Sequence, residues 1–160
     1  MTPNGEMGLP HPGCGIVREP WRTSVLVRFD ATRYLSMLPH KPLDWTQGDL
    51  FEGLRCFHSG AFFEAHEHWE SVWLAAQEPE KTFLQGLIQV AAAFYHLQRG
   101  NCAGAISLLR SALRRLDRYP EVSAGVVVAP LRVAVRLWLE ALEAGPQSSR
   151  PPVLQLQLTT

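Results

Sequence analysis

The chain has 160 residues, 46% of them hydrophobic, and its 15 basic and 15 acidic side chains give a formal net charge of zero. This length suits one domain with its own core, and the composition excludes a disordered chain. Zero net charge gives no overall field for nucleic acid or membrane, and no apolar run reaches the roughly 18 residues of a transmembrane helix. Three cysteines without a CxxC pair predict reduced thiols in a cytoplasmic protein.

Residues 1–43 are predicted to form an N-terminal arm of partly irregular structure. Residues 1–22 are rich in proline and glycine and show no hydrophobic period. The next segment, TSVLVRFDATRYLSML, is either a short strand followed by a helical turn or one helix, and Pro39 and Pro42 end it. A helical domain is expected to follow, over residues 44–145.

Helical periodicity begins after this arm and continues through most of the chain. Thr46 is a candidate cap for a first helix through QGDLFEGLRCFHSG, which Gly60 ends. A second helix follows immediately and runs to about Gln77. The third, KTFLQGLIQVAAAFYHLQRG, spans roughly Glu80 to Arg99 and ends at Gly100.

Two more helices complete the predicted domain. Asn101 is expected to cap the fourth, which Pro120 closes. A loop containing SAGVVVAP leads to the fifth, LRVAVRLWLEALEAG, which Gly145 and Pro146 stop. The tail, residues 146–160, holds a VLQLQL segment that either packs on the domain or does not. Because short connections favour antiparallel neighbours, the prediction is an all-α fold, a compact array of about five helices in antiparallel hairpins.

The third helix is predicted to be the buried centre of this array, because apolar residues cover most of its circumference. Its polar exceptions, Gln85, Gln89 and His96, fall within about 40° of one another on the helix. Buried amides need partners, since an unpaired one costs about 1–3 kcal/mol. A hairpin turning near residue 79 places Gln89 level with Trp69, and His96 four residues beyond the level of His66.

The second helix carries most of the ligand-type side chains, in FFEAHEHWESVW. His66 and Glu70 lie one turn apart at the edge of its apolar stripe, so they can share a proton, a metal ion or a hydrogen-bond partner. Glu64 and His68 lie on the far side, which is expected to be solvated. Facing amides from the third helix complete a predicted polar cluster at the helix junction. Its members are Glu64, His66, Glu67, Glu70, Gln85 and Gln89.

Three motifs in this region resemble a known family. Glu64–Glu70 is EAHEHWE, Phe83–Gln89 is FLQGLIQ, and Gly100–Ala105 is GNCAGA. In this order, within about residues 48–118, they resemble the small helical family of bacteria and archaea known as domain of unknown function 309. The resemblance implies a compact array of about five helices. The family has no established activity, and its description as a predicted metal-dependent hydrolase implies that the EAHExWE residues bind metal.

The metal hypothesis assigns His66 and Glu70 as ligands and His96 as the candidate third ligand. Glu67 is then the candidate catalytic residue. Sets of histidine and carboxylate ligands hold Zn²⁺ and Fe²⁺, and a divalent metal is the one cofactor that the sequence suggests. Two features weigh against it: HEHWE lacks the last histidine of HExxH, and His96 lies about 6 Å from His66 along the hairpin.

Two further interpretations stay open. The polar cluster can be a structural network that fixes the register between helices. Alternatively, Arg110, Arg114 and Arg118, which recur every turn of the fourth helix, can grip nucleic acid or an acidic partner. Ion pairing of this stripe, within the chain or across a homo-oligomer, is the competing explanation. The sequence therefore predicts a cytosolic helical protein with a structural or binding role, no membrane partner, and metal-dependent hydrolysis as the enzyme alternative.

Overall fold

The computed structural model describes residues 42–145, residue 151 and residues 154–159. Most of the predicted N-terminal arm, including its strand-or-helix segment, lies outside this part of the chain. Among the described residues, no helix is both long enough and apolar enough to cross a membrane. The described residues form five helices and one small sheet, so the predicted all-α array is confirmed. In chain order they are α1 (Gly48–Ser59), α2 (Phe62–Ala75), α3 (Glu80–Gln98), α4 (Cys102–Leu116), β1 (Val122–Ser123), β2 (Val126–Val127) and α5 (Val128–Ala144).

Each helix packs antiparallel against the next helix in the chain. Phe62 at the start of α2 contacts Phe94 near the end of α3, with ring centroids 5.1 Å apart. At the other end of this pair, the Lys81 ammonium lies 4.7 Å from the centroid of the Trp73 ring. α3 packs against both α2 and α4, which makes it the central helix, as expected. Its buried residues are Phe83, Leu84, Gly86, Leu87, Ile88, Val90, Ala91, Ala93 and Phe94.

Two helix ends follow the sequence signals closely. Gly60 ends α1 with a φ of 82°, in the left-handed region that glycine adopts without strain. Asn101 caps α4, because its side-chain oxygen accepts a hydrogen bond from the Gly104 N–H at 2.9 Å. Both predictions are confirmed.

The start of α1 differs from its prediction. The residue before the helix is Gln47, which makes no side-chain capping bond. The Thr46 hydroxyl instead donates to the Asp44 carboxylate at 2.6 Å, and the Thr46 N–H donates to the same oxygen. Thr46 is therefore part of the preceding turn, and its assignment as the cap is wrong.

The SAGVVVAP segment, predicted as a loop, forms an antiparallel hairpin and the first turn of α5. Ala124 and Gly125 join the two strands, and both have positive φ, 51° and 81°. This pair of backbone angles is typical of the tightest hairpin turns. α5 begins at Val128 rather than at the expected Leu131, because Pro130 fits the first turn of a helix, where its missing N–H has no intrahelical partner.

The described part of the tail packs on the domain. Leu154 and Leu156 are buried, and the Leu156 N–H donates to His58 Nε2 at 3.2 Å. Leu158 forms an antiparallel bridge with Val126 of β2. Of the two alternatives for VLQLQL, packing is the one observed.

A cluster of aromatic rings fixes α2 against α1. Trp69 is fully buried between Trp45 and Phe57, with ring centroids 6.3 and 5.5 Å from its own. Its indole N–H donates to the Leu50 carbonyl at 3.3 Å. Gly53 lies against the same indole so closely that a Cβ atom there would overlap the ring. This close contact sets the rotation of α2, and hence the direction in which its polar edge points.

Candidate metal-binding site on α2

Three side chains with metal-ligating atoms converge at one edge of α2. His66 Nδ1 lies 2.9 Å from Glu67 Oε1, and His66 Nε2 lies 3.8 Å from Glu70 Oε2. One ligand atom from each of the three residues lies within 4.8 Å of the others. The convergence is local in origin, since residues four apart on a helix point in the same direction.

The cluster is open to solvent on its carboxylate side. The side chains of Glu67 and Glu70 are 56% and 45% exposed, whereas that of His66 is 27% exposed. Phe63 stacks on the imidazole, with an interplanar angle of 20° and centroids 6.3 Å apart. Tyr95 of α3 packs beside Phe63, at 5.3 Å between centroids. An aromatic wall therefore limits one side of the imidazole.

Sequence reasoning did not assign this wall to the site. The available signals were the position of Phe63, three residues before His66, and the hairpin register, which brings Tyr95 to the level of Phe63.

The two carboxylates constrain the hydrogen bonding of the imidazole. A neutral imidazole has one N–H, and the shorter distance favours Nδ1–H of His66 donating to Glu67. The Nε2 lone pair then faces Glu70 at 3.8 Å, which is too long for a hydrogen bond. A zinc ion with bonds of about 2.0–2.2 Å sets a nitrogen and an oxygen ligand roughly 3.4 Å apart at a tetrahedral angle, and farther apart at wider angles. The observed separation is therefore suited to a bridging ion.

The two glutamines of the expected polar cluster face α4 instead of α2. Arg115 Nε–H donates to Gln85 Oε1 at 3.0 Å, and Arg115 Nη1 donates to Gln89 Oε1 at 3.1 Å. No hydrogen bond in the described part of the chain joins either glutamine to His66 or Glu70. The expected single cluster is thus two groups, one on each side of α3.

Rotation of α3 about its own axis explains this difference. The hairpin register agrees with expectation, since Phe63 meets Tyr95. Register fixes the level of a residue along the helix but leaves open which neighbouring helix it faces. Gly86 lies so close to Leu116 that a Cβ atom would crowd that side chain, and this close approach of α4 brings Arg115 to the glutamines.

His96 and Glu64 also lie apart from the convergent group. Asn101 Nδ2 donates to His96 Nδ1 at 2.8 Å, so His96 is engaged at the turn between α3 and α4. Glu64 is exposed on another side of α2. The group with metal-ligating geometry therefore contains Glu67 in the place proposed for His96.

The opposite side of α2 is bonded to α1 through Asp49. The Asp49 carboxylate accepts a hydrogen bond from the Ser71 hydroxyl at 2.7 Å and lies 2.9 Å from His68 Nδ1. These hydrogen bonds, first from Ser71 and then from His68, lower the pKa of Asp49 below its ordinary value of 3.8. His68, expected to be solvated, therefore has a partner from another helix.

The lowered pKa of Asp49 predicts a specific loss of stability in acid. Because the carboxyl group binds its proton less readily in the folded chain, its stabilising effect is present above the unfolded value of 3.8. This effect is lost as the pH falls through the lower, folded pKa. Asp49→Asn should thus flatten the pH dependence of the urea midpoint in this range. A wild-type slope for Asp49→Asn would contradict the assignment.

The arginine stripe of α4 is largely engaged within the chain. Arg110 pairs with Glu143 of α5 at 2.7 Å, and Arg114 donates to the Ser111 hydroxyl, also at 2.7 Å. Arg118 is exposed. The inter-helix contact of Arg110 therefore joins α4 to α5. These contacts favour a structural use of Arg110 over phosphate binding.

A cleft of about 710 Å³ lies near the start of α1 and the end of α2. Its lining includes Leu43, Leu50, Val72 and Ala76, and it contains none of the three cluster residues. The cluster is therefore a surface site, distinct from this cleft.

Comparison with known proteins supports the resemblance noted in the sequence. Residues 50–108, from α1 to the first half of α4, match the model of a domain of unknown function, DUF309. A protein of Aquifex aeolicus (strain VF5), named only as an uncharacterized protein, is 27% identical over 110 residues. That match covers 68% of this chain and 32% of the relative, so the chain spans about a third of the relative's length. The resemblance noted in the sequence is therefore confirmed over residues 50–108.

Proposed function

We propose that this chain binds a divalent transition-metal ion through His66 Nε2 and the Glu70 carboxylate. The position of the imidazole between two carboxylates supports the proposal. Nδ1–H bonded to Glu67 fixes the ring and keeps Nε2 available on the Glu70 side. Metal-binding histidines commonly use their second nitrogen in this way, which orients the ring and raises its basicity. Glu67 is thus the orienting carboxylate in this proposal.

The ligand set also defines the kind of ion and the strength of binding. One imidazole and one carboxylate suit Zn²⁺, Fe²⁺ or Mn²⁺ better than Ca²⁺, which prefers oxygen ligands alone. Structural zinc sites use four protein ligands, whereas this edge of α2 offers two and an orienting residue. We therefore expect weaker binding than in structural zinc sites, with coordination positions left for water.

Zinc titration of the untagged chain by calorimetry tests this proposal. We expect about one Zn²⁺ per chain, because one His66–Glu70 pair is present, with binding lost in His66→Ala. Glu67→Gln should weaken binding about 10- to 100-fold, the usual effect of losing an orienting partner.

His68→Ala provides the matched control, since His68 lies on the same helix but bonds to Asp49 on its other side. This variant should bind zinc as the wild type does. Equal loss of binding in His66→Ala and His68→Ala, or no binding by the wild type, would overturn the proposal.

Metal-dependent hydrolysis is a second candidate for the same residues. The exposure of the carboxylate side supports it, because an ion held there by two ligands keeps positions for water and substrate. Glu67, first considered as the catalytic residue, is bonded to His66, and this favours the orienting role. Zinc-dependent cleavage of p-nitrophenyl esters that is lost in Glu70→Ala and retained in His68→Ala would establish hydrolysis.

The cysteines support a location in the cytoplasm, which we include in the proposal. Cys56 is a buried free thiol and Cys102 an exposed one. An exposed unpaired thiol is typical of a reducing compartment. Cys14 lies outside the described residues.

A further inference from the structure

Two large apolar side chains flank the metal-binding cluster on the same face of α2. Phe63 is 47% exposed and Leu74 is 67% exposed. At the helical rotation of about 100° per residue, Phe63, Glu67, Glu70 and Leu74 lie within an arc of roughly 60°. Together these four residues form one exposed strip, which we call the α2 face.

The order of residues along the α2 face is symmetric. Phe63 is followed by Glu67, Glu70 and then Leu74. The two apolar residues are equally far from a midpoint between His68 and Trp69, and so are the two glutamates. A two-fold contact requires a surface that complements itself. If two α2 helices pack antiparallel about this midpoint, Phe63 of each copy meets Leu74 of the other. The glutamates of the two copies then lie level with one another.

Charge determines when such a contact can form. Packing two α2 faces together brings four carboxylates into a small region, and like charges this close repel strongly once water is excluded. The chain without metal is therefore expected to stay apart from a second copy. A divalent ion at each His66–Glu70 pair offsets this negative charge.

The metal site itself needs ligands beyond those of one chain. His66 and Glu70 supply two ligands, whereas protein zinc sites use three or four. In the antiparallel arrangement, a carboxylate of the second copy reaches the same region and can fill an open position. The exposed apolar residues of the α2 face and the incomplete ligand set thus both favour a second copy of this chain as the partner that binds there.

We propose that a divalent metal ion joins two copies of this chain through their α2 faces, and that each copy completes the metal site of the other. This inference rests on the proposed function, because it requires zinc binding at His66 and Glu70. The dimer also requires the apolar contacts of Phe63 and Leu74, which are not metal ligands. Zinc binding can therefore occur in a chain that does not dimerise.

The test combines light scattering after size-exclusion chromatography with zinc calorimetry on the full chain. We expect a monomer in EDTA and a doubled mass with Zn²⁺. Leu74→Gln should raise the dissociation constant of the zinc-bound dimer about tenfold or more, because burial of a leucine is lost at both ends of the contact. Val133→Gln, at a 55% exposed apolar residue of α5, is the control and should leave the dimer unchanged.

The outcomes separate the two proposals. Zinc binding with a mass that stays monomeric overturns the dimer and leaves the metal site standing. Absence of zinc binding overturns both. A dimer that persists in EDTA, or that Val133→Gln weakens as much as Leu74→Gln does, also overturns this inference. Zinc-dependent doubling that is selectively weakened by Leu74→Gln supports it.

Discussion

Replacing Trp69 with alanine is expected to lower the free energy of unfolding by about 3–5 kcal/mol, which is the usual range for loss of a large buried aromatic side chain. The indole is fully buried and contacts the rings of Trp45 and Phe57. Gly53 packs directly on it, so the space left behind is bounded by backbone, which cannot readily move inward. The value should therefore lie in the upper part of the range, as measured by urea unfolding.

Leu74→Ala provides the control on the same helix. Leu74 is 67% exposed, so its truncation should change the free energy of unfolding by no more than about 0.5 kcal/mol. A cost for Trp69→Ala similar to that for Leu74→Ala would show that the α1–α2 contact contributes little to the fold.

Replacing Arg115 with methionine should lower the free energy of unfolding by about 1–3 kcal/mol. The guanidinium donates to Gln85 Oε1, to Gln89 Oε1 and to the Ser111 carbonyl. Methionine keeps much of the apolar stem but removes the donor from the two glutamine oxygens, whereas the Ser111 carbonyl lies within α4 and keeps its backbone helical bond. The cost therefore comes from unpaired polar atoms rather than from lost volume.

Two comparisons make this prediction specific. Arg114→Met, at an exposed position one residue earlier, should change the free energy of unfolding by no more than about 0.5 kcal/mol. Glu70→Ala should be nearly as mild, because that side chain is 45% exposed. A large cost for Glu70→Ala together with a small cost for Arg115→Met would contradict this division, and would support one network through His66 and Glu70.

Helix ends were predictable from the sequence where the terminating or capping residue has only one available structural role. Gly60 and Asn101 each end or cap a helix through their own backbone or side chain, so the sequence alone was sufficient. Thr46 has two available roles, and the neighbouring carboxylate of Asp44 decides between them. The choice depends on a competing hydrogen bond, which helix-capping preferences do not include.

The candidate site was predictable to the extent that it lies on a single helix. His66 and Glu70 are four residues apart, so helical geometry alone brings them together. The expected contributions of His96 and Gln89 required knowledge of how α3 is rotated, because these residues lie on the side that faces α4. That rotation results from packing at Gly86 and Leu116, which involves two helices at once.

The antiparallel packing of each helix on the next has a consequence for how the chain folds. Contacts between consecutive helices close short loops, and chains dominated by such contacts fold quickly. Two contacts among the described residues span far longer stretches: Leu156 bonds to His58 across 98 positions, and the Trp45 indole N–H donates to the Ala124 carbonyl 79 positions away. During synthesis α1 to α3 can pair before the tail leaves the ribosome. The helix that carries His66 is therefore expected to reach its native environment early, and the strand-like tail to dock last.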